Sequence, residues 1–293
     1  MSKAVRVGVL QMPSSRGSAW RIGLKAAARR QGWSMVKGAD VALDGALADE
    51  SQIILLRDGA QALAMASALD ACVIVTESLE DICAAMAAHY PDKKIKAYAV
   101  AAERLAAAVT LERLGAHRVE ASATVADLPL IGRVEVEAPH EPAGSAGALD
   151  PSPLDMFAGE GPQPGHLTIW SWDLFNYRTT PRSQSKPPHI DLTGRARVLF
   201  HGPRFSLPGG EWRVRLRFHL DPEGRESPLK FEWGAAEDFE TLELQLDAAG
   251  LYEVELSKRW AQPVAAELRV WAAAAHFLGT FEFVSADVAY LAH

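Results

Sequence analysis

The hydrophobic pattern of this chain changes near residue 165. Before that point, continuous apolar runs alternate with alanine-rich segments of helical character, whereas after it apolar and polar residues alternate one by one in short runs. A continuous apolar strand is typical of a sheet covered on both faces, and strict alternation is typical of a strand with one buried face. The change therefore predicts two domains of different architecture.

Residues 1–138 are predicted to form a three-layer, Rossmann-like α/β domain. Its apolar runs each precede a helical segment, as expected for parallel strands joined by crossover helices. Four runs are predicted as its main strands: Val5–Leu10, Ile53–Leu56, Ala71–Val75 and Lys96–Val100. Shorter runs are candidates for additional strands: Ser34–Val36, Arg118–Ala121 and Arg133–Val136.

Residues 139–165 are predicted to form a linker. The segment is dense in proline, glycine and small residues. Such a composition buries too little apolar surface to offset the entropy of ordering its backbone. Within it, Leu154–Phe157 is a candidate for a short hydrophobic anchor.

Residues 166–293 are predicted to form an antiparallel β-sandwich. In the segment Trp212–Leu220, the apolar residues occupy the even positions while arginine and histidine occupy all of the odd ones. Similar alternation recurs at Leu242–Leu246, Tyr252–Leu256, Leu268–Trp271 and Phe281–Phe283. Turn sequences rich in glycine separate several of these runs, which is the arrangement expected of antiparallel strands.

Two phrases in this half share the order apolar residue, turn, glycine, any residue, aromatic residue, any residue, valine. They are Phe205–Val214 and Leu246–Val254. These phrases resemble strands of galactose-binding-like jelly rolls, the fold of many carbohydrate-binding modules, and Phe281–Val288 resembles the final strand of that fold. The resemblance covers residues 166–293 and implies a jelly roll with carbohydrate as its ligand. The residue pattern places no calcium site.

An anion site is predicted in the first loop of the α/β domain. The loop follows the first strand and precedes a helix, so that hydroxyls, a guanidinium and free helix amides gather at the carboxyl end of the sheet. The residues concerned are Ser14, Ser15, Arg16 and Ser18. The alternative is that Ser18 caps the helix and Arg16 is solvated.

A glycan site is predicted in an aromatic cluster at the start of the sandwich. Flat rings stack on the C–H faces of sugars, while carboxylate and guanidinium groups bond their hydroxyls. The residues concerned are Trp170, Trp172, Asp173, Tyr177 and Arg178. The alternative is that these rings fill the sandwich core or the interface between the domains, and partial exposure of Trp172 or Tyr177 would favour the glycan site.

A stripe of arginines, Arg213, Arg215 and Arg217, shares the face of its strand opposite to the apolar residues. It has two interpretations. The guanidinium groups could bind an acidic glycan, or they could form cross-strand ion pairs with Glu243, or with Glu253 and Glu255.

Charge and composition narrow the classes of partner. A formal net charge of -7 disfavours nucleic-acid binding, which needs a basic face. The sequence has no apolar stretch of the roughly 18 residues that a membrane helix needs. Because the first strand begins within a few residues of Met1, no signal peptide is expected, and the protein is predicted to be cytoplasmic with Cys72 and Cys83 as reduced thiols. No metal or cofactor is predicted.

Three functions follow from these observations. The first is a glycan-related protein whose sandwich binds carbohydrate or organises an assembly in surface-polysaccharide metabolism. The second is a glycosyltransferase-like enzyme that holds a nucleotide-sugar or another phosphorylated small molecule in the α/β domain. The third is a structural scaffold for protein partners. Strand ends with no convincing histidine or paired carboxylates leave the presence of an enzymatic activity open.

Overall fold

The computed structural model describes residues 4–38, 50–138, 149–159, 161–178 and 187–292. The chain divides into two compact units, Met1–Pro151 and Ser152–His293. The first part of the predicted linker, residues 139–148, lies outside the described residues. No helix in the described ranges is long and apolar enough to cross a membrane.

A parallel sheet of five strands forms the centre of the first unit. The strands are β1 (Arg6–Gln11), β2 (Ser34–Lys37), β3 (Gln52–Leu56), β4 (Ala71–Thr76) and β5 (His117–Glu120). Their order in the sheet is β2-β3-β1-β4-β5. The common doubly wound order is 3-2-1-4-5, so the second and third strands have exchanged places in this sheet. The parallel sheet is therefore confirmed, and the finer Rossmann-like assignment is not.

Helices and a hairpin cover the two faces of this sheet. They are α1 (Gly17–Arg30), α2 (Gly59–Met65), α3 (Leu79–His89), α4 (Lys94–Arg113) and the hairpin of β6 (Val125–Leu128) and β7 (Gly132–Glu135). On one face, Val7 and Val9 of β1 share a buried cluster with Trp20 of α1 and with residues of the hairpin. On the other face, Gly8 of β1 lies so close to the side chain of Leu69, which follows α2, that a Cβ atom at position 8 would clash with it.

The predicted fourth strand, Lys96–Val100, is wrong because this segment lies within α4. The buried residues of the helix include Ala97, Ala101 and Leu105, which recur every four residues and so lie on one helical face. Alanine also has the highest helix propensity of the amino acids. The short run was too brief to show that its apolar period was helical.

The second unit contains two antiparallel sheets. Sheet I contains β8 (Leu167–Trp170), β10 (His189–Asp191), β12 (Gly210–Asp221), β15 (Gly250–Trp260) and β17 (Thr280–Ala292), with the order β10-β17-β12-β15 and β8 paired with β17. Sheet II contains β9 (Asn176–Tyr177), β11 (Arg197–Leu207), β13 (Ser227–Ala235), β14 (Asp238–Leu246) and β16 (Val264–Ala272), with the order β14-β13-β16-β11-β9.

The inner faces of sheets I and II pack against each other through aromatic side chains. The rings of Phe218 in sheet I and Phe231 in sheet II lie 5.5 Å apart, and those of Phe281 and Phe200 lie 5.8 Å apart. The apolar residues of β12 are buried, as the alternation in the sequence predicts. The predicted antiparallel β-sandwich is therefore confirmed.

A 3-10 turn at Ser152–Phe157 belongs to the second unit. Its side chains Leu154, Met156 and Phe157 are buried, and the backbone N–H of Met156 donates a hydrogen bond of 3.0 Å to Thr168 Oγ1 on β8. The segment contains the hydrophobic anchor proposed from the sequence. The second unit thus begins before residue 166, the boundary that the sequence predicts.

Candidate functional site

The outer face of sheet II gathers charged and aromatic side chains from several strands. On β16, Leu268 and Val270 face the core, so Glu267, Arg269 and Trp271 point to the other side. Strand pairing places further outward positions beside them. These are Asn176 on β9, His201 and Arg204 on β11, Lys230 and Glu232 on β13, and Phe239 on β14. We refer to this surface as the outer face of sheet II.

Glu267 is the centre of a charged cluster on this face. One of its carboxylate oxygens, Oε1, lies 2.8 Å from His201 Nδ1 and 3.1 Å from Arg204 Nε. The other, Oε2, accepts hydrogen bonds of 3.0 and 2.8 Å from Nε and Nη2 of Arg269. Only 2% of Glu267 is exposed. We call His201, Arg204, Glu267 and Arg269 the Glu267 cluster.

The Glu267 carboxyl group is held in its charged form. Burial alone would raise the pKa of Glu267, but hydrogen bonds from Arg204, His201 and Arg269 outweigh that effect and lower the pKa below its usual value. The carboxylate therefore fixes the orientation of the two guanidinium groups at neutral pH. Charge-assisted contacts of this kind are stronger than neutral hydrogen bonds.

Trp271 belongs to the same face and lies near the end of β16, the central strand of sheet II. Its indole N–H donates a hydrogen bond of 2.8 Å to Glu232 Oε2. The ammonium group of Lys230 lies 2.7 Å from the other oxygen of Glu232 and 4.8 Å from the Trp271 ring centroid. The ring is partly exposed and its orientation is fixed by these contacts. Such a ring beside charged groups has the composition of a surface that binds polar organic ligands.

Trp170, one residue of the predicted glycan site, lies in the core of the sandwich. It is fully buried, and its ring centroid lies 5.4 Å from that of Phe205 and 5.8 Å from that of Trp233. Because β8 turns this side chain toward sheet II, Trp170 offers no surface to a ligand. For this residue the glycan assignment is wrong, and the alternative of a core ring is the correct one.

The remaining residues of the predicted glycan site lie in β9, the edge strand of sheet II, or next to it in the chain. Trp172 and Asp173 belong to a 3-10 turn, and Asp173 accepts a hydrogen bond of 2.6 Å from Ser171 Oγ. Trp172, Asp173 and Tyr177 are partly exposed, while Arg178 is exposed. Strand β9 pairs with β11 so that Asn176 lies opposite His201. Within this segment, Asn176 therefore adjoins the Glu267 cluster.

Tyr177 faces inward from this edge. Its ring centroid lies 5.4 Å from that of Phe200 in the core. Burial, with a smaller contribution from the charge of Asp173, raises the pKa of the Tyr177 hydroxyl far above its usual value. The hydroxyl is buried and has no hydrogen-bond partner within the described part of the chain. Tyr177 is thus neutral at all physiological pH values.

The arginine stripe on β12 forms ion pairs across sheet I. Arg213 lies 3.5 Å from Glu255, and Arg215 lies 3.4 Å from Glu253 and 3.1 Å from Glu255. Arg217 contacts Glu253 at 2.9 Å and Asp287 at 3.6 Å. Of the two interpretations given by the sequence, cross-strand pairing with Glu253 and Glu255 is the one that the structure shows. An acidic ligand would have to compete with these carboxylates.

The predicted anion loop lies where β1 ends and α1 begins. Ser14 Oγ donates a hydrogen bond of 2.5 Å to Glu77 and accepts one of 2.9 Å from the backbone N–H of Arg16. Arg16 is the residue that precedes α1, and no side chain caps the helix there. Ser15 and Ser18 are exposed. Ser18 as the helix cap is therefore wrong, because it lies inside the first turn.

Arg16 is buried rather than solvated. Only 8% of the residue is exposed, and its Nη2 donates a hydrogen bond of 2.5 Å to the backbone carbonyl of Glu137. Nε and Nη1 are buried without a partner among the described residues. Nearby, burial raises the pKa of Glu77, although the hydrogen bond from Ser14 and the charge of Arg16 act in the opposite direction. The solvated interpretation of Arg16 is therefore wrong.

The outer face of sheet II was not among the sites predicted from the sequence. The alternation that places Arg269 and Trp271 on one face of β16 was visible in the sequence. What it does not show is that β16 lies between β11 and β13, which brings His201 and Lys230 to the same surface. Residues far apart in the chain become neighbours here only through strand pairing.

No protein-family model and no curated protein matches the chain. Solved structures similar to parts of it include several carbohydrate-binding modules. A family 35 module from Clostridium thermocellum is 9% identical, with 42% of this chain and 98% of that chain covered and a TM-score of 0.25. A module solved in complex with β-1,4-galactotriose is 7% identical, with 43% and 87% covered and a TM-score of 0.29.

A viral structure belongs to the same set of similar folds. The VP2 subviral particle of infectious bursal disease virus is 9% identical, with 54% of this chain and 40% of that chain covered and a TM-score of 0.29. Likenesses at this level assign neither a ligand nor an activity to the chain, since one fold serves many functions. The candidate sites are therefore assessed by their own residues.

Proposed function

We propose that the second unit binds carbohydrate on the outer face of sheet II. The observation that carries this proposal is the partly exposed Trp271 ring, held by Glu232 and flanked on the same face by the Glu267 cluster. Sugars present apolar C–H faces and many hydroxyl groups. A fixed ring suits the former, and charged donors and acceptors suit the latter.

The contacts within this face support binding without a large ordering cost. Trp271 and Glu232 are joined by a hydrogen bond, and the guanidinium of Arg269 lies 4.1 Å from the Phe239 ring centroid. Side chains restrained in this way lose little further freedom when a ligand arrives, which favours affinity. The wider role predicted from the sequence, in surface-polysaccharide metabolism, would rest on this binding activity.

The Trp271→Ala variant tests the proposal. It is expected to weaken carbohydrate binding by about 30-fold or more, because an aromatic anchor at a binding site typically contributes about 2 kcal/mol. Its denaturation midpoint should change little, since the ring is partly exposed. The wild type is first screened by thermal shift against neutral and acidic oligosaccharides, where a ligand at 100 times its Kd adds about 2.7 kcal/mol of stability.

A matched control for Trp271→Ala is Phe277→Ala, which removes an aromatic ring that is 73% exposed and lies in the loop after β16. Phe277→Ala should bind the same oligosaccharide as the wild type does. Binding that survives in Trp271→Ala would remove this ring from the site. A wild type that none of the oligosaccharides stabilises would contradict the proposal as a whole.

We infer a second candidate function for the first unit, the binding of a phosphorylated small molecule beside α1. The specific observation is Arg16, whose Nε and Nη1 are buried with no partner in the described ranges of the chain. Buried donors in native proteins nearly always have acceptors, so an unpaired guanidinium indicates a missing one. The start of α1, where no side chain caps the helix, adds backbone amides that favour an anion.

Arg16→Ala is expected to weaken the binding of phosphate or of a nucleoside diphosphate by about 10- to 100-fold. A charge-assisted hydrogen bond contributes roughly 1.5–3 kcal/mol. The measurement is isothermal titration of the full-length variants, with Arg29→Ala as the control because Arg29 is an exposed arginine of the same helix. Arg16→Lys should retain part of the affinity. Equal affinities in the wild type and Arg16→Ala would exclude the residue from an anion site.

A further inference from the structure

The Glu267 cluster contains more positive than negative charge. Its single carboxylate, Glu267, is shared by two guanidinium groups, Arg204 and Arg269, and by the ring of His201. We propose that the carbohydrate bound by the outer face of sheet II is acidic, and that Arg204 and Arg269 bind its carboxylate or sulfate group. This inference rests on the function proposed above and specifies the class of its ligand.

Arg204 has donors left over for such a group. Its Nε contacts Glu267 at 3.1 Å, while 60% of its side chain is exposed. In the part of the chain that the structure describes, Glu267 is the only acceptor that Arg204 contacts. The terminal nitrogens of its guanidinium group are therefore available to a ligand from solvent. A guanidinium group presents paired N–H donors that match the two oxygens of a carboxylate.

Glu267 acts as a positioning residue in this arrangement. Its buried carboxylate binds Nε and Nη2 of Arg269 on one oxygen and Arg204 on the other. The Arg269 guanidinium also lies over the Phe239 ring, with 4.1 Å between Cζ and the ring centroid. Both cations are thus held in place before a ligand binds, which reduces the entropy that binding would otherwise cost.

The outer face of sheet I provides an internal comparison. There, Arg213, Arg215 and Arg217 are matched by an equal number of acids, Glu253, Glu255 and Asp287. The guanidinium charges of this stripe are therefore fully matched by carboxylates. Around Glu267 two guanidinium groups share one carboxylate, which leaves an excess of positive charge for an anionic ligand.

The excess charge lies close enough to Trp271 for one ligand to reach both. Arg269 and Trp271 are two residues apart on β16 and point to the same side. This spacing corresponds to about 7 Å along a strand. Near Trp271 the positive charge of Lys230 is paired with Glu232, with 2.7 Å between Nζ and Oε1, and Glu243 lies opposite Lys230 on β14. A saccharide can therefore stack on Trp271 while its acidic group binds at Arg269 and Arg204.

The test compares matched oligosaccharides on the full-length protein. The first pair is an oligogalacturonide and its methyl ester, which share a backbone, but only the oligogalacturonide carries free carboxylates. The second pair is a sulfated and an unsulfated galactan. Isothermal titration of the wild type should show at least about 10-fold tighter binding of one acidic member than of its neutral partner. High salt should reduce this difference, because the contact is exposed at Arg204.

Arg204→Ala should then weaken binding of the acidic member by about 10- to 100-fold and leave the neutral member within about threefold of the wild type. The fold should persist, because Glu267 keeps its hydrogen bonds to Arg269 and its contact with His201. Arg213→Ala is the matched control, since it removes the same charge from sheet I. Its affinity for the acidic member should equal that of the wild type.

The outcomes separate this inference from the function on which it rests. Equal binding of acidic and neutral members, or an equal loss in Arg204→Ala and Arg213→Ala, overturns the acidic specificity but leaves carbohydrate binding intact. Failure of every oligosaccharide to bind the wild type overturns both. If Arg204→Ala does not fold, Arg204→Gln replaces it, and an unchanged acidic preference in Arg204→Gln overturns the inference.

Discussion

A fragment that begins at residue 166 is expected to be less stable than one that begins at residue 149 by about 3–5 kcal/mol. The longer fragment retains the 3-10 turn whose side chains Leu154, Met156 and Phe157 are 0%, 0% and 7% exposed. Burying each such side chain contributes about 1.5–3 kcal/mol, and the cost of ordering the turn offsets part of the total. Urea denaturation of the two fragments measures the difference.

Met156→Ala in the full-length protein is the companion measurement for the two fragments. Replacing a fully buried methionine with alanine is expected to destabilise the second unit by about 2–5 kcal/mol. Pro151→Ala is the control, because this residue precedes the turn and is only partly buried. If both fragments unfold at the same urea concentration, the turn does not stabilise the sandwich and the boundary predicted from the sequence is adequate.

The strands of the sandwich could be predicted because their two faces differ. In β12 each buried residue, such as Val214 or Leu216, is followed by a charged or polar one, so the period of two is visible in the sequence. Several of the turns between the strands contain glycine, such as those at residues 208–209 and 222–226, and these mark where the strands end. The alternation in a strand with one solvent-exposed face therefore indicates that the segment is a strand and shows which of its faces points to the core.

In the α/β unit, the buried strands could be predicted from the sequence, whereas α4 and the order of the strands could not. Val7, Val9 and Val73 are buried in continuous apolar runs, as expected for strands covered on both faces. In α4, by contrast, small alanines line the buried side, and the segment Lys96–Val100 has no clear period of its own. Strand order also depends on long-range pairing, which a local pattern does not encode.

The candidate sites were predictable only where their residues are close in sequence. The loop with Ser14 and Arg16 was identified because it follows a strand and precedes a helix, but the burial of Arg16 depends on Glu137, which lies far along the chain. The Glu267 cluster joins β11 to β16. Its members are unremarkable surface charges until the sheet brings Arg204 next to Glu267.

The two tryptophans of the predicted aromatic cluster are expected to respond differently to replacement by alanine. Trp170→Ala should destabilise the sandwich by about 3–5 kcal/mol, because the ring is fully buried between Phe205 and Trp233. Trp172→Ala should cost less than about 2 kcal/mol, since that ring is partly exposed. The denaturation midpoints of the two variants provide the comparison.

A third variant, Trp170→Phe, separates the ring of Trp170 from its indole N–H. The N–H is buried and has no acceptor among the residues that the structure describes. Phenylalanine keeps an aromatic ring in the core and removes the unpaired donor, so Trp170→Phe should be clearly more stable than Trp170→Ala. Oligosaccharide affinity measured on the same proteins should be unchanged in Trp170→Phe. A loss of affinity there, with the midpoint preserved, would contradict the assignment of Trp170 to the core and return it to the binding surface.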